Sequence, residues 1–256
     1  MLLRSALRDL AKLKRLTPAA LLIALPAAIA LIWRLKSPAG EFPADIAYNT
    51  LCSSLVYGFA LVILAVVFGT ATITEELEQK TIVYLITHAL PRSRILLVKL
   101  FSSWLATTIG AIVSCGLLAL AVYAGSGHPA APHLSRDLAI LPVGALAYNT
   151  LFVLLATLIS RPLLVGLVFA FGWESWVPSM PGNFSMLSIM SFIRALAPHP
   201  QPASDTVDLT TFLTASNPDV ISQKLAWSVL AIVTAFCLTS AVMRFSTAEY
   251  VPREEA

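Results

Sequence analysis

Glu75, Glu76 and Glu78, followed by Lys80, put three carboxylates and a base within a few residues of a chain that carries few charges elsewhere. They precede the apolar set Ile82, Val83, Leu85 and Ile86, and the stretch closes on Pro91, Arg92, Ser93 and Arg94. Acidic residues in the first turn of a helix are stabilised by its dipole, so a short helix opening near Glu75 is predicted, with Pro91 breaking it. Such a helix offers charged contacts for docking a separate protein. The alternative is a solvated loop whose charges keep it out of an apolar phase. Glu174 poses a different problem, because it ends an uncharged run from Leu163 to Trp173. A carboxylate in that position needs a partner, water or a break in the helix. Pro178, Pro181 and Gly182 follow it, so the run is expected to end early and the chain to turn back through residues 183–197. There Met186, Ile189, Met190, Ile193 and Leu196 share one apolar face, and Arg194 is the base available as a counter-ion. The competing reading is a plain interfacial helix with Glu174 snorkelling to water.

The elements that position these groups follow from composition. Apolar residues make up 57% of the chain, charged residues 12%, and the mean hydropathy is +0.80. Soluble domains run near 45 to 50% and 25%, so an integral membrane protein is expected. The 256 residues accommodate about six spans of roughly 20 residues with loops, and no large soluble domain. The expected fold class is all-α, a single polytopic transmembrane domain. Its parts are an interfacial helix at 1–16, span 1 at 17–35, span 2 at 47–73 and a protruding segment at 75–92. Span 3 follows at 96–124, span 4 at 138–160, span 5 at 162–178, a short outer-leaflet helix at 183–197 and span 6 at 218–245. Thr17-Pro18 and Asn217-Pro218 read as helix starts, Pro26 as a kink, and Ser160-Arg161-Pro162 as a tight turn.

Lys and Arg are retained on the cytoplasmic side. With the N-terminus inside, only Arg34, Lys36, Arg136, Arg194 and Lys224 of the 17 basic residues fall outside, so both termini are expected in the cytoplasm of a plasma (inner) membrane protein. Arg4, Arg8, Lys12 and Arg15 recur at helical spacing opposite Leu3, Leu7, Leu10 and Leu13, as in a helix lying on anionic headgroups. Ordinary flanking charge on a frayed end is the plainer alternative. A cleavable signal peptide is disfavoured, since the apolar run is long and ends in Trp33-Arg34 without a small-x-small site. Cys52, Cys115 and Cys237 lie inside apolar runs without metal-ligand spacing and are expected to be buried packing residues, with no metal site.

The segment Glu76-Leu77-Glu78-Gln79-Lys80-Thr81-Ile82-Val83-Tyr84-Leu85-Ile86-Thr87, continuing to Arg92 and Arg94-Ile95-Leu96-Leu97-Val98-Lys99-Leu100, resembles the signature of ABC-2 type exporter permeases. Those proteins carry an acidic segment, Gly-Thr, an aliphatic helix, a Pro-x-Pro/Ser-Arg turn and an aliphatic-Gly-Lys start to the third span. Lys80 and Val98 stand where the family usually has glycine, and Ala89 where it often has proline. Trp173-Glu174, Leu187-Ser188-Ile189 and Phe192-Ile193-Arg194 are similar to a subgroup of the family. The resemblance implies that residues 75–86 form a coupling helix seated on a separately encoded ATPase, with Glu75, Glu76, Glu78, Thr81, Leu85, Arg92 and Arg94 as coupling residues. It implies a homodimer or a heterodimer with a related permease, export driven by ATP and Mg bound to the partner, and a substrate path along spans 2 and 5. Tyr57, Trp173, Glu174, Met186 and Met190 are the expected path or gate residues. Tyr48 and Asn49 also lie on those faces, which suit a lipid-like or amphiphilic cargo.

The chain has no Gly-x4-Gly-Lys-Ser/Thr loop to cradle ATP phosphates, so no cofactor of its own is expected, it is not itself expected to be an enzyme, and nothing points to nucleic acid. Two other classes compete. Glu75-Glu76-x3-Lys80 is one substitution from the Glu-Glu-x3-Arg pattern of membrane glutamate proteases, in which a glutamate activates water. The histidine partners of that pattern are missing from later spans: His88 falls in the loop, and His128, His133 and His199 fall in outer loops. A passive membrane scaffold fits the composition but leaves the charged signature unexplained.

Overall fold

A computed structural model describes residues 13–37, 42–78, 92–124, 133–180, 182–199 and 221–247. These residues are helical, with no strand among them. Helix α1 spans Leu13–Lys36. The second rod is continuous and has three parts: α2 at Ala44–Leu51, a π-helical stretch at Cys52–Leu61, and α3 at Val62–Glu78. Then come α4 at Arg92–Tyr123, α5 at Leu134–Leu158 and the short α6 at Pro162–Val168. Phe169–Trp173 widens into a π turn, and Glu174–Trp176 and the 3₁₀ turn Val177–Ser179 complete that run. A second 3₁₀ segment, Gly182–Leu187, leads into α7 at Ile189–Leu196, and α8 spans Gln223–Thr247.

Among the described residues, five helices are long and apolar enough to cross a membrane, and Pro162–Trp176 is apolar but shorter. At 1.5 Å per residue that run reaches roughly 22 Å, short of the ~30 Å hydrocarbon core. The helix expected at 162–178 is present as this shorter apolar run, continued by a 3₁₀ turn to Ser179. The segment expected as one helix over 183–197 is instead two pieces divided at Ser188. The start expected at Asn217-Pro218 and residues 1–12 of the interfacial helix lie outside the described residues. Leu13 to Leu16 belong to α1 rather than to a separate surface helix. Pro162 opens α6 at its first turn after the extended Ile159, as the Ser160-Arg161-Pro162 turn predicts.

Burial divides the bundle into a centre and a rim. The rod containing α2 and α3 is 67% buried over its apolar window and α5 is 56% buried, against 17% for α1 and 22% for α8. The rim helices leave Leu21, Leu35, Ile232, Phe236 and Met243 exposed, which costs nothing where the surroundings are hydrocarbon. Small residues set the central spacing. A Cβ on Gly69 would stand 3.0 Å from the Phe152 Cβ, and one on Gly144 would stand 2.9 Å from Ile193 Cδ1. Glycine thus lets α3 and α7 approach the α5 backbone closely.

Contacts identify the two ends. At one, the Arg34 guanidinium donates to the Ala121 carbonyl at 3.2 Å and the Tyr123 hydroxyl donates to Asp45 at 2.9 Å. The other carries an apolar cluster of Leu96, Leu100, Val153, Ala156, Ala241 and Phe245.

Candidate functional site

A buried polar cluster lies at the Asp45–Tyr123 end. Asp137 stands in the first turn of α5, where the helix dipole favours a carboxylate, and is 1% exposed. The Tyr48 hydroxyl donates to its Oδ2 at 2.7 Å and the Tyr57 hydroxyl to its Oδ1 at 3.2 Å. The Cys52 thiol lies 3.7 Å from Oδ2, and the Tyr48 hydroxyl is 3.5 Å from the Cys115 sulfur. His199, just after α7, brings Nε2 to 3.2 Å from both carboxylate oxygens. Its Nδ1 donates to the Ala197 carbonyl at 2.9 Å. A buried carboxylate persists only when its oxygens are hydrogen-bonded or paired, and here both are.

The π-helical stretch makes this convergence possible. At 3.6 residues per turn, positions five apart are separated by roughly 140° around the axis, so Tyr57 would face away from Cys52. Bonding from i to i+5 stacks residues five apart and turns both toward Asp137. The hydroxyls of Ser53 and Ser54 bond to the Thr50 carbonyl at 3.2 and 2.6 Å, competing for the acceptor that regular helix would use. Beside the cluster is a cavity of about 660 Å³ lined by Ser53, His133, Arg136, Arg194, Pro198 and His199.

Glu174 finds its partner in a helix terminus. It is 4% exposed, and its carboxylate accepts from the Ser188 hydroxyl, from the Ile189 amide at 3.2 Å and from the Met190 amide at 3.4 Å. Ser188 is also the N-cap of α7, accepting from the Met190 amide at 3.1 Å. The free N–H groups of a helix start are the natural seat of a buried anion. Arg194, the expected counter-ion, interacts with Glu174 by charge through space rather than in a direct ion pair, and its side chain also lines the cavity.

The other expected site residues are distributed unevenly. Tyr57 is 1% exposed inside the Asp137 network, and Met190 is fully buried against the core. Met186 is half-buried, while Trp173 is exposed and donates its indole N–H to the Leu187 carbonyl at 3.2 Å. Glu75, Glu76 and Glu78 form the last turn of α3 rather than the first turn of a new helix. That end carries the negative pole, so a separate short helix with these acids in its first turn is not what the backbone forms here. Thr81 and Leu85 lie outside the described residues, Arg92 opens the α4 backbone, and Arg94 is exposed on it. His199 is on the order of 40 Å along the bundle from Glu78, measured by helix rise from Tyr48, so the two do not form a protease-like pair.

Sequence reasoning missed Asp137 and His199. The available signal was the acid immediately before the fourth apolar run, facing tyrosines and cysteines at near-helical spacing in the second. The cysteines are buried and unpaired by disulfide, as expected of packing residues, but two of them meet at Asp137.

Among the described residues, five apolar helices of membrane-crossing length packed around a buried polar network give the chain the character of an α-helical membrane protein. No protein-family model matches the chain, and none of the curated proteins matches it.

Proposed function

We propose that this chain is the transmembrane permease subunit of an ATP-binding cassette exporter of the ABC-2 type. The observation that carries the reading is the charged signature from Glu76 to Leu100, placed at the connection between two long apolar helices. An acidic segment followed by an aliphatic stretch, a proline-arginine turn and a basic helix start is what a membrane bundle needs to engage a soluble motor. The ATPase is a separate subunit that binds ATP and Mg, and two permease chains, identical or related, form a twofold bundle. Closure of the ATPases biases a rigid-body rocking of the two halves. The cargo is lipid-like or amphiphilic and moves outward from the cytoplasm or inner leaflet of the plasma membrane, with both permease termini cytoplasmic.

Co-purification from nanodiscs with a co-expressed ABC-type ATPase from the same source tests the reading. The wild-type chain is expected to retain the ATPase and stimulate its turnover. Glu76→Lys is expected to weaken that association roughly tenfold or more, about 1.4 kcal/mol. Failure of the wild type to bind any ATPase contradicts the proposal.

A further inference from the structure

His199 and Asp137 face each other in a way that calls for a cation. The Ala197 carbonyl can only accept, so the His199 Nδ1 at 2.9 Å carries its hydrogen. In a neutral imidazole, Nε2 is then a bare acceptor, and it stands 3.2 Å from both oxygens of a carboxylate that also only accepts. The two side chains are 2% and 1% exposed, so bulk water does not separate them. Either a proton or a metal ion lies between them.

Two thiols approach the same carboxylate. The ligand atoms of Cys52, Cys115 and Asp137 all lie within 4.8 Å of one another, and the Cys52 sulfur is 3.7 Å from Asp137 Oδ2. Tetrahedral zinc, with bonds of about 2.3 Å to sulfur and about 2.0 Å to nitrogen or oxygen, sets ligand-to-ligand edges of roughly 3.3 to 3.8 Å. The His199–Asp137 and Cys52–Asp137 edges are already at that length; the imidazole stands outside the 4.8 Å group of Cys52, Cys115 and Asp137 and closes on the thiols as the metal binds. We propose that Cys52, Cys115, Asp137 and His199 form a closed tetrahedral zinc site that staples the π-helical stretch, α4, α5 and the chain after α7 at one end of the bundle.

The surroundings meet the further demands of such a site. Tyr48 and Tyr57 hold the carboxylate by hydrogen bonds, and the Ala197 carbonyl fixes the imidazole with Nε2 inward. His199 forms part of the wall of the neighbouring cavity, which supplies an entry path. The ligand set selects among metals. Thiolates disfavour calcium and magnesium, a carboxylate disfavours copper(I), and a mixed sulfur, nitrogen and oxygen tetrahedron suits zinc(II). Binding of one Zn²⁺ releases three protons to solvent, one from each thiol and the one that otherwise lies between His199 and Asp137, and no electron is transferred. Arg136 and Arg194 on the cavity wall offset the remaining negative charge. The site does not rest on the permease reading.

The test is metal content and the cobalt spectrum of the full chain in detergent. Wild type and the control Cys237→Ser, whose thiol belongs to α8, are expected to retain a stoichiometric zinc ion through gel filtration. Cys52→Ser combined with Cys115→Ser, and separately His199→Ala, are expected to lose it. Tyr57→Phe is expected to weaken zinc binding by roughly 10- to 100-fold, as loss of an outer-shell partner does. So that the test does not depend on the ligand variants folding, the wild type also carries it alone: cobalt(II) should give an intense thiolate-to-metal absorption together with tetrahedral visible bands. Zinc retained equally in the double serine variant, or cobalt without a thiolate band in the wild type, overturns the proposal and leaves a proton shared by His199 and Asp137.

Discussion

Asp137→Ala is expected to lower the thermal midpoint of the purified chain by on the order of 10 °C, corresponding to about 3 to 5 kcal/mol. The carboxylate is the common acceptor for the Tyr48 and Tyr57 hydroxyls and the partner of His199, and all three stay buried when it is removed. Each unsatisfied buried donor costs about 1 to 3 kcal/mol, and alanine offers no acceptor in exchange. The network also ties α2, the π-helical stretch, α5 and the chain after α7 together, so its loss should loosen one end of the bundle rather than a single contact. Asp137→Asn keeps one oxygen and should fall between wild type and alanine. Tyr57→Phe removes one hydrogen bond and should cost about 1 kcal/mol. Heating in detergent with detection of the monodisperse fraction measures the series. A midpoint for Asp137→Ala within measurement error of wild type would show that the network carries no stability.

Glu174→Ala should act locally and nearly as strongly. Its carboxylate accepts two backbone amides at the start of α7 and the hydroxyl of the residue that caps it. Hydrogen bonds to a charged acceptor are each worth about 1.5 to 3 kcal/mol, part of which offsets the cost of burying the charge, so a net loss of about 2 to 4 kcal/mol is expected. Hydrogen exchange separates this from a general loosening. The Ile189 and Met190 amides should exchange at least tenfold faster in the variant, while amides in the middle of α5 stay protected. Glu174→Gln keeps a carbonyl acceptor and should recover part of that protection. Unchanged exchange at Ile189 and Met190 would mean that the α7 start is held by Ser188 alone.

These two carboxylates differ in how far the sequence exposes them. Glu174 is legible because an acid after an uncharged run must be satisfied somewhere, and the prolines beyond it predict the reversal that brings a new helix start within reach. The direct partners are not legible: the obvious base, Arg194, acts on Glu174 only through space, while the direct contacts come from backbone amides, which have no sequence signature. Asp137 is harder still. Its partners come from residues far apart in the chain, and Tyr57 reaches it only through π-helical turns that a 3.6-residue period hides. The long helices are legible because absence of charge over their length is a one-dimensional signal, whereas the shortness of Pro162–Trp176 shows only as a run that ends too soon. The continuation of α3 through Glu78 runs against the dipole preference of its acids. Local preference of that size, about 0.3 to 1 kcal/mol, is readily overridden by propagation of a helix already nucleated in the core.

The central claim, that the segment beyond Glu78 engages a separate ATPase, is tested most directly by cross-linking. Leu85→Cys places a thiol in that segment of a chain whose native cysteines are all buried. Leu35→Cys places one on a residue 85% exposed near the opposite end. In nanodiscs containing the chain and its ATPase, a short bifunctional reagent should join position 85 to the ATPase, with a yield that changes between the nucleotide-free and ATP-bound states, and should leave position 35 unjoined. No product at position 85 in either state, with the ATPase present and active, would contradict the coupling role and with it the assignment as a permease subunit.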